Sequence, residues 1–166
     1  MSSPSEQISP GLFVVRPAAA GTPGDALSRL AGKASVEPLE GRTPGWIVRL
    51  NKPPRSAREG WRSLHRLLGA DYVVLPAMVD DSGRLRFPTG LLSLRFGDEA
   101  DDSALHGIAE AYGLELVGRP RFTRQQALFR PAGGSEVFLP DVSGRIERDR
   151  KVEAVWFDAE SAFTRA

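Results

Sequence analysis

The sequence predicts an α+β protein in which one small unit occurs twice in succession. The first observation is that strand-like and helix-like segments follow the order β-α-β-β-α-β, and that this order then repeats. The second is that a helix in each half ends at a matching glycine, Gly32 or Gly113. The third is that other matched residues, such as Arg16 and Arg95, also lie about 80 positions apart. A period of this length indicates a duplicated domain rather than a short structural repeat.

The first half opens with a Ser- and Pro-rich stretch, residues 1–10, that we expect to be disordered. Beyond it, alternating apolar residues predict strands, helical spacing predicts helices, and Gly and Pro mark the boundaries. These signals give a strand, a helix, two strands, a helix and a strand, at residues 11–17, 22–32, 34–41, 45–50, 56–69 and 71–76. Asp25 is the predicted N-cap of the first helix. Pro38 predicts an edge strand, because proline has no N–H to donate.

The second half follows a polar stretch, residues 80–89, whose composition predicts a linker. Its strand, helix, two strands, helix and strand lie at residues 90–96, 101–113, 114–120, 126–131, 140–151 and 152–157. Asp101 and Asp102 suit the start of the first of these helices, because the helix dipole favours negative charge there. A β-α-β-β-α-β order builds an antiparallel four-stranded sheet with two helices on one face. Each half is therefore predicted to be a ferredoxin-like unit.

The predicted units cover residues 11–79 and 90–160, and a short C-terminal tail follows at 161–166. Within each unit the first helix must turn back at once so that the next strand can join the sheet. A glycine at the helix end adopts the left-handed conformation cheaply and permits this turn. The alternative is that Gly32 and Gly113 are ordinary helix stops, with no duplication behind them.

The composition predicts a globular protein with few chemical specialisations. Hydrophobic residues make up 41% of the chain and charged residues 26%, which favours a packed core. Lys plus Arg number 22 against 21 acidic residues, so we expect neither a nucleic-acid partner nor a membrane-surface partner. The chain contains no cysteine, and we expect no cofactor and no metal.

The sequence shows no targeting signal, which predicts a cytoplasmic protein. No apolar run approaches the roughly 20 residues that span a bilayer. The first residues lack the basic and apolar regions of a signal peptide. The chain would instead be secreted if it were a fragment of a longer precursor.

Catalytic signals are absent from the sequence, and we expect a protein that is not an enzyme. His65 and His106 both lie on predicted helices beside leucines, which is typical of surface or half-buried helix residues. No Gly-x-Ser-x-Gly turn, His-Glu-x-x-His helix or phosphate-binding loop occurs.

Several segments of the second half share a pattern with a known family. Residues 87–122 hold a strand, an acidic helix start, and a helix that ends in Gly-Leu with a strand directly after it. The segment "ALFRP" follows, and then the spaced residues Ile146, Asp149, Val152 and Val155. This pattern is similar to the propeptide domains of subtilisin-like serine proteases and to their relatives that act as proteinase inhibitors. The resemblance covers residues 87–160 well and 11–76 more faintly, although Trp156 and Phe157 stand where many relatives have Glu-Pro.

The resemblance implies a non-catalytic partner of a subtilisin-like serine protease, in the same chain or in another. Such domains act as inhibitors, intramolecular chaperones or recognition modules, and their open sheet face packs against helices of the catalytic domain. Their C-terminal tail lies in the active-site cleft like a cleaved product, by β-augmentation. Here the tail residues would be Phe163, Thr164, Arg165 and Ala166, with Ala166 in the primary pocket and Phe163 in an apolar pocket further along.

The parity of the strands predicts which residues form the open sheet faces. In the second unit Leu92, Leu94 and Phe96 should face the helices. The outward residues, which would contact the partner, are then Leu91, Ser93, Arg95, Leu128 and Arg130. In the first unit the outward set would be Leu12, Val14, Arg16, Ile47 and Arg49. Two alternatives remain: the two sheets cover each other, or a register shifted by one residue exchanges the faces.

Two other functions fit a pair of ferredoxin-like units. RNA binding would need outward aromatic residues for base stacking, but Trp46, Phe96 and Phe129 are predicted to point inward. The second is a ligand-binding regulatory or adaptor protein, in which a small ligand binds at the interface between the units. We keep this second function as the alternative to the protease partner.

Overall fold

The computed structural model describes residues 7–18, 24–41, 43–121, 123–132 and 137–161. In these residues the chain is α+β, with eight strands, three α-helices and one short 3₁₀ helix. The chain divides into two compact units. Unit 1 contains Met1–Thr89 and Ala159–Ala166, and unit 2 contains Gly90–Asp158. The long strands β5 (Leu85–Phe96) and β8 (Val152–Glu160) contribute residues to both.

Unit 1 is an antiparallel sheet in which the strands lie in the order β2, β3, β1, β4. Its elements are β1 (Gln7–Pro17), the 3₁₀ helix (Gly24–Leu30), β2 (Ala34–Pro38), β3 (Trp46–Leu50), α1 (Ala57–Leu68) and β4 (Tyr72–Val79). Pro38 lies in the edge strand β2, as predicted. The first predicted helix is a 3₁₀ helix, and the side chain of its predicted cap, Asp25, lies outside the described part.

Helix α1 packs closely on the sheet of unit 1. The hydroxyl oxygen of Ser56 caps the helix by accepting a hydrogen bond from the N–H of Glu59 at 3.2 Å. The buried residues Trp61 and Leu64 lie on one face of the helix, as the helical spacing predicts. Gly60 lies against the ring of Phe13, because a Cβ at that position would come within 2.7 Å of the ring. The helix and β1 therefore approach more closely than a larger residue would allow.

Unit 2 is a second antiparallel sheet, with the strands in the order β6, β7, β5, β8. Its elements after the first part of β5 are α2 (Asp102–Tyr112), β6 (Leu114–Gly118), β7 (Gln126–Pro131), α3 (Leu139–Glu147) and β8. The side chain of Asp101 accepts a hydrogen bond from the N–H of Ala104 at 2.8 Å, which caps α2. Gly113 ends α2 in the left-handed conformation, with φ 68° and ψ 32°. Gly32 in unit 1 also has a positive φ, of 78°.

The ends of α2 and α3 are joined by a polar contact. The hydroxyl of Tyr112 donates a hydrogen bond to Asp149 Oδ2 at 3.0 Å. The guanidinium of Arg145 lies 5.3 Å from the centre of the same ring, within cation-π range. Burial is the main cause that raises the pKa of Tyr112 above its usual value, and the hydrogen bond to Asp149 adds to it. The contact connects the end of α2 to the residues at and just after the end of α3.

Two segments that the sequence predicts to be irregular contain strand residues in the structure. Residues 7–10, which the sequence predicts to be disordered, belong to β1. Residues 85–89, the second half of the predicted linker, begin β5, and only 80–84 form a turn. Asp80 holds that turn, because its Oδ1 accepts hydrogen bonds from the N–H and hydroxyl of Ser82 and from the N–H of Arg84. Val79 and Leu85 are then opposite each other in an antiparallel pair.

The outward set predicted for unit 1 is wrong for three of its five residues. Leu12, Val14 and Arg16 are buried, whereas Ile47 is half-buried and Arg49 is exposed. The physical reason is visible around Arg16, whose guanidinium donates to the carbonyls of Thr43 and Pro88 at 3.0 and 2.8 Å. The segments that carry those carbonyls cover the end of this face. It is therefore not an open surface.

Candidate functional site

The sheet of unit 2 has one buried side and one part-exposed side. Leu92 and Phe129 lie opposite each other and are buried, and so are Leu94 and Ala127. The intervening residues are half-buried or exposed, so the core lies on one side of these strands. We call the other side the open face of unit 2, defined by Leu91, Ser93, Arg95, Leu128 and Arg130. These are the outward residues that strand parity predicts.

The centre of the open face consists of two leucines and one serine. Ser93 and Leu128 are paired across β5 and β7, and Leu91 precedes Ser93 by two residues on the same strand. All three side chains are half-buried. A partner that covered them would remove the apolar surface of two leucines from water and would desolvate one hydroxyl. Uncharged, mainly apolar residues are typical of the centre of an interface.

Charged pairs lie around this centre. Arg95 Nε is 3.5 Å from Glu153 Oε2, and the two side chains are 48% and 57% exposed. Arg130 Nε donates to Glu115 Oε1, and these residues are opposite each other on β7 and β6. Exposed pairs of this kind contribute only about 0–1 kcal/mol to stability. Both arginines can therefore exchange their carboxylate for one on a partner at little energetic cost.

Trp156 is a further candidate contact that strand parity did not reveal. It lies on β8, at one edge of the sheet of unit 2, and the residue is 46% exposed. Exposed tryptophan is a common anchor in protein interfaces, because a large apolar ring becomes buried on binding.

The predicted tail residues Phe163, Thr164, Arg165 and Ala166 lie outside the described residues. The chain just before them is held in unit 1. Glu160 pairs with Arg16 at 3.0 Å, and Arg86 donates to the carbonyl of Ala159 at 2.9 Å.

The two histidines lie on helices, as expected. His65 stacks on Trp61 within α1, with ring centres 5.1 Å apart and an interplanar angle of 10°. His106 is exposed on α2. Among the described residues, no cluster of three or more His, Cys, Asp or Glu side chains could hold a metal ion. Phe96 and Phe129 are both buried, so neither presents the outward ring that base stacking with RNA needs.

None of the helices in the described ranges is long and apolar enough to cross a bilayer. No family model matches the chain, and no curated protein shows significant similarity to it.

Proposed function

We propose that this chain is a non-catalytic, propeptide-like protein that binds a subtilisin-like serine protease as inhibitor, chaperone or recognition module. The observation that carries the proposal is the open face of unit 2, where leucines and arginines lie on the side of the sheet away from the core. The second support is the resemblance of residues 87–160 to subtilase propeptides.

We also propose that both units have the ferredoxin-like fold. Their strand orders, β2-β3-β1-β4 and β6-β7-β5-β8, place the first and third strands of each unit side by side at the centre. The order of strands and helices along each half supports the same fold. Unit 1 differs in having a 3₁₀ helix where unit 2 has α2.

The geometry indicates how the face would bind. Leu91 and Leu128 would be buried at the centre of the contact. Arg95 and Arg130 would exchange Glu153 and Glu115 for acidic groups on the protease. A stable complex needs about 800 Å² of contact on each partner, which is more than five side chains supply. Trp156 at the sheet edge and the C-terminal tail would extend the contact.

Inhibition of a purified subtilisin by the full chain, measured with a chromogenic peptide substrate, tests the proposal. We expect Leu128→Asp to raise the inhibition constant at least about tenfold, because a carboxylate would have to be desolvated at the centre of the contact. The matched control is Val36→Asp, since Val36 is an exposed valine on β2 of unit 1. Circular dichroism would verify the fold of both variants.

Three outcomes would count against the proposal. Absence of both inhibition and a complex on size-exclusion chromatography would reject the protease partner. Equal weakening by the two variants would reject the open face as the contact. Stabilisation of the chain by small metabolites, together with no protease complex, would favour the ligand-binding regulatory protein instead.

The tail is tested separately by deleting residues 163–166. If the tail occupies the active-site cleft, the shortened chain should still form the complex but should no longer compete with substrate. Full inhibition by the shortened chain would reject the product-like tail and leave the open face as the proposed contact. A refolding assay with denatured protease would distinguish a chaperone from an inhibitor by the recovered activity.

A further inference from the structure

A loop of unit 2 brings three arginines to one groove. The loop joins β6 to β7, and the groove is open to solvent with a volume of about 750 Å³. Its lining residues are Glu99, Arg119, Pro120, Arg121, Thr123, Arg124 and Gln125. We call it the arginine groove. Three guanidinium groups against one carboxylate make it locally basic, although the whole chain carries a net charge of only +1.

Arg119 connects this loop to the start of α2. Its guanidinium donates to the carbonyls of Ala100 and Arg124 and lies 3.4 Å from Asp102 Oδ1. Its Nε atom is buried and has no hydrogen-bond partner among the described residues. An unpaired buried donor is energetically costly, because it loses its hydrogen bonds to water and gains none in the protein. Arg119 therefore connects the loop to the residues at the start of α2, and one of its donors has no partner among the described residues.

Arg121 and Arg124 are the arginines of the groove whose side chains can bind a ligand. Both are exposed, and in the described part of the chain neither side chain makes a hydrogen bond or an ion pair. The backbone beside them is held, because Thr123 Oγ1 accepts from the N–H of Gln125 at 3.1 Å. The side chain of Gln125 also donates to the carbonyl of Gly97, at 3.3 Å. Arg121 and Arg124 therefore present two unengaged guanidinium groups, and hydrogen bonds of Gln125 hold the chain next to Arg124.

We propose that the arginine groove binds a short acidic peptide segment, whose carboxylates pair with Arg121 and Arg124. Guanidinium groups recognise carboxylates through paired, charge-assisted hydrogen bonds. Small-molecule sites are usually enclosed and mostly apolar, whereas this groove is open and lined by charged and polar residues. A nucleic acid would require a larger basic surface than a chain of net charge +1 offers. An extended acidic peptide matches both the openness and the charge.

The test is fluorescence anisotropy of a fluorescein-labelled hexaglutamate peptide, titrated with the full chain at about 0.15 M salt, where charges more than about 8 Å apart are largely screened. The double variant Arg121→Gln and Arg124→Gln should weaken binding about tenfold or more, because two charge-assisted contacts are removed. The matched control is Arg148→Gln with Arg150→Gln. These are two exposed arginines of the same unit that do not line the groove. The control should change binding by less than about twofold, as expected for distant surface charges.

Several results would overturn the site. No binding of the peptide would reject the site, and equal weakening by the two double variants would reduce it to general charge attraction. Tighter binding of a single-stranded oligothymidylate of the same length would assign the groove to nucleic acid. Competition by inorganic phosphate at the same molar concentration would assign it to simple anions. Leu128→Asp should leave peptide binding unchanged, so this site and the protease proposal succeed or fail separately.

Discussion

Arg16 and Arg95 occupy matching positions in the two halves of the sequence, yet their surroundings are opposite. The side chain of Arg16 is 4% exposed and pairs with Glu160, which is 6% exposed, at 3.0 Å. The side chain of Arg95 is 48% exposed and lies 3.5 Å from Glu153. A repeated pattern thus predicts which strand carries a residue, but not what covers that residue.

The difference lies in the segments that surround Arg16. Besides Glu160, its guanidinium donates to carbonyl groups of Thr43, Pro44, Phe87 and Pro88. A Cβ at Gly41 would lie only 2.8 Å from the carboxylate of Glu160, so the loop that contains Gly41 approaches this pair closely. A charge can be buried when its partners satisfy both its charge and its hydrogen bonds. Arg16 meets this condition, whereas Arg95 remains hydrated.

The largest expected effect on stability is the loss of Arg16, and the loss of Arg95 is the comparison. Arg16→Met removes a close charge partner from the buried carboxylate of Glu160, and we expect it to lower the free energy of unfolding by about 3–5 kcal/mol. Arg95→Met removes an exposed pair and should cost at most about 1 kcal/mol. Urea denaturation of both variants measures the difference. Equal losses would show that Arg16 is not held as described.

A double variant tests whether the loss comes from the buried charge that remains on Glu160. Arg16→Met combined with Glu160→Met removes both charges, and buried pairs replaced by apolar residues are often close to neutral in stability. We expect the double variant to recover most of the stability lost by Arg16→Met alone. The same urea denaturation assay applies. A double variant as unstable as the single one would instead assign the loss to the unsatisfied carbonyl groups around Arg16.

A comparison of two helix glycines shows how closely α1 packs in unit 1. Gly60→Ala should destabilise by about 1–3 kcal/mol, because its Cβ would overlap the ring of Phe13. The matched control is Gly107→Ala in α2 of unit 2, where no atom lies within 4 Å of the added Cβ. That change should stabilise by about 0.5–1 kcal/mol through helix propensity. Thermal unfolding measures both, and a stabilising Gly60→Ala would contradict the close packing.

The two matched turn glycines should behave alike. Gly113 and Gly32 have φ of 68° and 78°, where a side chain is strained. We expect Gly113→Ala and Gly32→Ala each to cost about 1 kcal/mol, since only glycine adopts this conformation freely. Chemical denaturation would detect the loss. A neutral result at one position alone would show that the two turns are not equivalent in energy.

The smallest effect concerns the turn at Asp80 in unit 1. The hydrogen bond from the Ser82 hydroxyl, followed by that from the Arg84 N–H, lowers the pKa of Asp80 below its usual value. A lowered pKa in the folded state means that the stabilisation is present above the usual pKa of aspartate. It is lost as the pH falls through the folded-state value. Urea midpoints of the protein and of Asp80→Ala should therefore differ at pH 6 and converge toward pH 3, and a constant difference would contradict this account.

The fold was predictable where the signals are local. Leu92 and Leu94 alternate with outward residues on β5, and the glycine at 113 marks the end of α2, so the open face of unit 2 could be predicted from the sequence. The burial of Arg16 could not, because its partner Glu160 is 144 positions away. The strand at 85–89 was also missed, because pairing with β4 overrides a composition typical of loops.

The candidate sites show the same limit. Arg119, Arg121 and Arg124 are close in sequence, and their clustering could have been noticed there. Their connection to the start of α2 depends on the contacts of Arg119 with Ala100 and Asp102. The exposure of Trp156 was not predictable either, since burial along β8 does not alternate regularly. Tertiary contacts, not residue identity, decide whether these side chains are exposed and able to bind a partner.

The exposed Trp156 also provides an optical probe. The chain has three tryptophans, of which Trp46 and Trp61 belong to unit 1 and Trp156 to unit 2. Because Trp61 is buried and Trp156 is about half exposed, their emission should differ in wavelength and in quenching by iodide. Fluorescence of the chain and of Trp156→Phe would therefore report the two units separately. Thermal melts of these two proteins could show whether one half melts before the other.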